Sequence, residues 1–242
     1  MDRIHLVECP RDALQGWPHQ VSTEDKVAYY RALLDVGFDT IDVGSFVSTK
    51  AVPSMANTAK VLTVIEDEGM LPKQGTRILV IAANERGATA ASKFETIDDI
   101  GFPLSLSETF QQRNTGASIE EAFSRLDNIQ NICLNNSKRL VVYLSMGFGN
   151  PYGEVWHPEM LTEFSDRLRR NLNVEVIALS DTVGTAVDHV VEDAFSAVIT
   201  ELPGIEFGAH LHLHATAGLS KIEAALRGGC LRFDGAIRGI GG

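Results

Sequence analysis

"EFGAHLHLHATAGLSKIEAALRGG", residues 206–229, contains one whole strand-and-helix unit. It opens on an alternating stretch (206–214), turns through Ala-Thr-Ala-Gly, and runs on as an amphipathic segment to a glycine pair. Strand side chains alternate between faces. A strand over 206–214 therefore puts His210, His212 and His214 on one side and Leu211 and Leu213 on the other. The closing glycines mark the end of a helix.

The same unit recurs along the chain. Candidate strands are "IHLVEC" (4–9), "FDTIDVGSF" (38–46), "RILVIAA" (77–83), "FPLSLS" (102–107), "RLVVYLSMGF" (139–148), "VEVIALSD" (174–181) and "RFDGAIRGI" (232–240), which with 206–214 makes eight. Helix-like stretches lie between them. "STEDKVAYYRALLDVG" begins with Ser22 or Thr23 as N-cap and stops at Gly37, and Ser118 with Glu121 has capping-box spacing. Strand–helix alternation calls for a parallel sheet with crossover helices, and eight units call for a closed (β/α)8 TIM barrel. An open doubly wound sheet is the alternative, but its G-x-G-x-x-G fingerprint is absent. One domain over residues 1–242 is expected, lacking its last outer helix after "RGIGG".

The bulk numbers narrow the function. The 242 residues carry 21 Lys and Arg against 32 Asp and Glu, a net charge of −11, which disfavours nucleic acid as a partner. Three cysteines without C-x-x-C spacing argue against a disulfide framework and for a reducing, cytoplasmic setting. No signal-peptide run and no stretch near the roughly 20 apolar residues of a membrane span is seen, so no membrane partner is expected.

In barrel enzymes the chemistry sits where strands end, and here the strand ends are polar. Neutral imidazole is the commonest ligand for divalent metals, so His212 and His214 are candidate metal ligands. His210, one layer deeper, is expected to be a packed, hydrogen-bonded interior residue. In "PRD" (10–12), Asp12 offers a hard oxygen and Arg11 a partner for a carboxylate or enolate. Strands 1 and 7 are separated only by strand 8, so Asp12, His212 and His214 form a plausible three-ligand set. Such O/N ligation suits Mg²⁺, Mn²⁺, Fe²⁺, Co²⁺ or Zn²⁺. Asp181 either meets substrate or caps the helix that follows, and Glu108 and Arg113 are expected to pair within their loop.

Taken in order, "ECPRDALQGW" (8–17), "DVGSFVSTKAVPSM" (42–55), "SLSETFQQRNTGASIEEAF" (105–123), "GNPYG" (149–153), "LSDTVG" (179–184), "HLHLHATAG" (210–218) and the terminal "GIGG" resemble hydroxymethylglutaryl-CoA lyases. These belong among metal-dependent barrel lyases and Claisen-type synthases. The resemblance implies cleavage of 3-hydroxy-3-methylglutaryl-CoA to acetyl-CoA and acetoacetate. It implies metal ligation by Asp12, His212 and His214, with Mg²⁺ or Mn²⁺ first and Zn²⁺ or Co²⁺ as alternatives. Arg11 matches the arginine that stabilises the enolate; His212, or alternatively Asp42, is the candidate base; Gln15, Ser45 and Asp181 match substrate-pocket positions. An acyl-CoA partner and a homodimer follow as expectations. Two other readings use the same scaffold: a related aldolase or Claisen-type synthase, and a non-catalytic acyl-CoA-binding barrel.

There are departures. The family's cysteine acid and an Asn ligand would lie past Gly242, Ala215 stands where the family has Asp, and Asn150 where it has Cys. The resemblance therefore implies a shortened or partly ordered form with weak activity or none. A chain extended by roughly 40 residues, about the outer helix and tail of a typical barrel, is expected to cleave substrate much faster than the 242-residue chain, and equal rates would refute this.

Overall fold

The computed structural model describes residues 3–70, 75–213 and 218–240. Eight strands alternate with helices: β1 (His5–Glu8), α1 (Pro10–Gln15), α2 (Thr23–Leu34), β2 (Thr40–Ser45), α3 (Thr58–Asp67), β3 (Arg77–Ile81), α4 (Glu85–Ala91), β4 (Asp99–Ser105), α5 (Glu108–Thr115), α6 (Ile119–Asn135), β5 (Arg139–Ser145), α7 (Glu159–Leu172), β6 (Val176–Asp181), α8 (Asp188–Glu201), β7 (Glu206–Leu211), α9 (Gly218–Arg227) and β8 (Arg232–Gly235). The strands hydrogen-bond in sequence order, β1 to β8, and close into a barrel, which is the (β/α)8 fold expected from the alternation.

Four strand boundaries differ from the sequence reading by three residues or more. β4 starts at Asp99, three residues before the apolar run, because Asp99 is itself a buried strand residue paired opposite Leu79. β5 stops at Ser145, where Met146 adopts φ 57 and turns the chain. β7 stops at Leu211, where its pairing with β6 ends opposite Asp181. The alternating-face argument therefore covers His210 alone, and His212 follows the strand. β8 stops at Gly235 and a 3-10 turn, Ile237–Gly239, takes its place.

The chain packs as two compact units. The first holds His5–Gly101, Asn128–Arg139 and Gly235–Gly242. Its strands β2 and β3 are buried on both faces, as a parallel sheet under helices must be, with Ile41, Ile78, Leu79 and Val80 in the strands and Tyr30, Leu33, Leu62 and Ile65 of α2 and α3 all buried. Ser22 caps α2 by accepting the Asp25 amide, the first of the two N-cap choices the sequence allowed. Gly44 sits where β2 bulges, and a Cβ there would lie 2.5 Å from the Thr58 side chain, so only glycine lets α3 approach. Strand starts are tied by Asp99, whose carboxylate accepts from Arg77 (2.6 Å from its Nη2) and Arg139 (2.9 Å from its Nη2).

The second unit holds Met1–Ile4, Phe102–Asp127 and Leu140–Asp234. Leu140–Leu144 and Val176–Leu179 form its sheet core, with Val191, Phe195 and Val198 of α8 packed among the buried side chains. The capping box at α6 is reciprocal: Ser118 N donates to Glu121, and Glu121 N donates to Ser118 Oγ. No described helix is long and apolar enough to cross a membrane.

Burial by itself would raise the Asp99 carboxyl, but the two guanidiniums outweigh it and hold it below its ordinary value. A carboxyl depressed in the folded state adds stability above its unfolded value, about 3.9, and loses it as pH falls through the lower folded value. Asp99→Asn is therefore expected to cost about 2 kcal/mol at neutral pH. In urea melts its gap to the unsubstituted chain should stay level down to about pH 5 and close below about pH 4.

Candidate active site

In the first unit the site is built at the ends of β1 and β2. β1 runs into Pro10, which opens α1 with its ring where no amide donor is needed. The next residue, Arg11, is 8% exposed. Its Nε donates to Asp42 Oδ2 at 2.9 Å, and Nη2 lies 2.7 Å from the same oxygen. Its Nη1 donates to Asp12 Oδ1 and to Gln15 Oε1, both at 2.9 Å. A guanidinium has five N–H donors, so these contacts leave one, on Nη2. Burial works against the charge of Arg11, but Asp42 and then Asp12 outweigh it and hold the group above its ordinary range.

Asp42 is 0% exposed, and its Oδ2 meets both Nε and Nη2 of Arg11. Ser45, at the end of β2, donates its amide to Thr58 Oγ1 at 3.3 Å, and its buried hydroxyl has no hydrogen-bond partner among the described residues. Gln15 is exposed and orients Arg11 through its amide oxygen. Glu8 accepts the Ile237 amide at 3.1 Å, which anchors the segment after β8; burial raises its carboxyl more than that bond lowers it.

In the second unit the ends of β5, β6 and β7 are tied by one loop. Asp181, 1% exposed, accepts the amides of Thr185 (3.0 Å) and Ala186 (3.1 Å). α8 starts later, at Asp188, so Asp181 shapes the loop and does not cap the helix. Lys221 of α9 donates to the same carboxylate at 2.8 Å. Thr182 Oγ1 accepts the Met146 amide at 2.8 Å, and the Thr182 carbonyl accepts from His212 Nδ1 at 3.0 Å. A carbonyl can only accept, so His212 carries its proton on Nδ1 and Nε2 holds the lone pair. Metal-ligating histidines are oriented in this way. Gly184, at φ 70, closes the loop; a Cβ there would lie 3.1 Å from the His212 carbonyl oxygen.

His210 is half-buried. Its Nδ1 donates to Asp234 Oδ2 at 3.1 Å, and Tyr143 meets its ring edge-on at 5.4 Å between centroids. His214 lies outside the described residues. Glu108 accepts the Ile119 amide and Arg113 stacks over the Tyr152 ring at 4.9 Å, in place of the salt bridge within the loop that was expected of either. Sequence reading missed Lys221 and Asp234. Each finds its partner far along the chain, 40 and 24 residues away, and no local spacing signals such a pair.

A family model described as HMGL-like matches residues 4–242. The 3-hydroxy-3-isohexenylglutaryl-CoA/hydroxy-methylglutaryl-CoA lyase of Pseudomonas aeruginosa is 30% identical over 99% of this chain and 78% of its own length. The mitochondrial hydroxymethylglutaryl-CoA lyase of Homo sapiens is 30% identical over 99% of this chain and 72% of its own. The structure of an HMG-CoA lyase from Acinetobacter baumannii in complex with coenzyme A and 3-methylmalate superposes with a TM-score of 0.90 at 26% identity, covering 99% of this chain and 76% of that one.

Removing one partner of a buried ion pair costs about 3–5 kcal/mol. Because Asp12 and Gln15 still hold Arg11, Asp42→Ala is expected at the low end, about 3 kcal/mol, in urea denaturation. Asp12, with a side chain 17% exposed, should cost less on truncation to alanine. A reversed order would contradict this account of Arg11.

Proposed function

The chain belongs to the HMGL-like family, and from that we propose that it cleaves 3-hydroxy-3-methylglutaryl-CoA to acetyl-CoA and acetoacetate with a divalent cation, Mg²⁺ or Mn²⁺. The observation that carries this is the buried Arg11, held on three sides with one donor left over. Its place at the end of β1, where barrel enzymes keep their chemistry, fits the enolate that such a cleavage produces.

Each unit carries donor chemistry that suits a divalent cation. Asp12 supplies a carboxylate, and His212 presents Nε2 because Nδ1 is committed to the Thr182 carbonyl. His214 is assigned as the third ligand from the family motif. A cation held by such groups would supply Lewis acidity toward the substrate's hydroxyl.

The protein side chains then have distinct tasks. With one ring nitrogen to offer, His212 cannot ligate and accept a proton at the same instant. We therefore assign it to ligation and give the hydroxyl proton to Asp42, the alternative base. Loss of that proton lets the C2–C3 bond break: the C3 oxygen becomes the ketone of acetoacetate, the bonding electron pair moves onto the thioester as an enolate, and a proton from solvent added to the enolate carbon completes acetyl-CoA. Arg11 meets the enolate oxygen with its remaining Nη2 donor, a charge-assisted contact that strengthens as negative charge develops. Ser45 Oγ and Gln15 contact the substrate's polar groups, and Asp181 acts through the loop that orients His212.

The expected result is acetyl-CoA and acetoacetate in equal amounts, at a rate, however slow, that EDTA abolishes and Mg²⁺ or Mn²⁺ restores. Arg11→Lys should lower kcat by about 10²–10³-fold with little change in KM, the size of loss seen for other preorganised charge-stabilising donors. His212→Ala and Asp12→Ala should abolish cation binding, whereas His210→Gln should spare it. A chain that neither binds Mg²⁺ or Mn²⁺ nor releases these products refutes the proposal.

A further inference from the structure

Lys221 has a place in none of the roles above, yet its side chain is only 10% exposed. It lies in the first turn of α9, just past the segment that carries His214. Its Nζ donates to Asp181 Oδ2 at 2.8 Å and to the Gly184 carbonyl at 2.9 Å. Burying an ammonium is costly unless it is paired and hydrogen-bonded, and ordering a lysine side chain costs further entropy. Both acceptors lie in the segment Asp181–Gly184, which touches His212: the Thr182 carbonyl accepts a hydrogen bond from His212 Nδ1, and Gly184 abuts the His212 carbonyl.

The consequence is mechanical. His212 and α9 are each anchored to the same segment. His212 is held by Thr182, and α9 is held by Lys221. Both anchors converge on the segment Asp181–Ala186, whose shape rests on the Asp181 carboxylate. Neutralising Lys221 leaves that carboxylate buried without its cation, a state strongly disfavoured in a low-dielectric surrounding. The segment then relaxes and the carbonyl that aims His212 loses its position.

We propose that Lys221 is a positioning residue for the cation site, fixing His212 through its ion pair with Asp181 and so setting the affinity for the divalent ion. This rests on the reading of His212 as a ligand. Loss of such outer partners of a metal ligand typically weakens metal binding by about 10–100-fold.

The test titrates the metal-free protein with Mn²⁺ alone by calorimetry, and measures stability in urea in parallel. Lys221→Met is expected to bind Mn²⁺ at least about 10-fold more weakly, and Lys221→Arg, which keeps the charge, to recover most of the loss. Arg77→Met serves as the control, since Arg77 pairs with buried Asp99 at a strand start. It should lose stability and bind Mn²⁺ like the unsubstituted chain. If Lys221→Met does not fold, the Asp181→Asn/Lys221→Met double variant removes both charges together and is expected to show the same weakening. Unchanged Mn²⁺ affinity in a folded Lys221→Met or double variant overturns the proposal, and so does an equal loss in Arg77→Met. If the unsubstituted chain binds no Mn²⁺, the metal-dependent lyase reading itself fails, a result distinct from all of these.

Discussion

Arg11 is a permanent charge held almost out of solvent, and much of the site follows from keeping it there. A guanidinium cannot shed its proton to escape burial, so it must be matched. Asp42 reaches it from β2, and Asp12 and Gln15 reach it from its own helix. That fixes the end of β1 against the end of β2 and turns α1 so that its carboxylate shares the Arg11 contact. It also leaves a single donor for a ligand, which is what a site for one developing oxyanion requires.

The same solution recurs at two other buried carboxylates. Asp99 is met by Arg77 and Arg139 where strands begin, and Asp181 by Lys221 where β6 ends. Buried ion pairs are weak contributors to stability compared with apolar packing of the same volume. What they supply is geometry, because each carboxylate has a defined set of donors. At Asp99 that geometry holds strand starts together. At Asp181 it shapes a loop whose carbonyl sets the tautomer of a histidine.

The strand count and order were legible because parallel strands under helices are apolar on both faces and show as runs. The errors came where polarity and strand structure part company. β4 begins on Asp99, which is polar by type and buried by pairing, so a search for apolar runs starts too late. β7 ends at Leu211 although "HLHLH" keeps alternating, because a strand lasts only as long as its neighbour offers partners and β6 turns away after Asp181. His210 bonds Asp234, 24 residues further on, and no local pattern marks that pair.

What the sequence alone determined were the properties carried by residue type and spacing: eight strand–helix units, the caps at Ser22 and Ser118, the acidic balance and the polar strand ends holding Arg11, Asp12, Asp42 and the histidines. These are local, since periodicity and capping act within a few residues. Tertiary structure decided which nitrogen of His212 bears the proton, which oxygen of Asp42 takes Arg11, and that Lys221 closes on Asp181. Those pairings join residues 30, 31 and 40 positions apart. Which charge meets which is set by where the strands end, and that is fixed only once the barrel has closed.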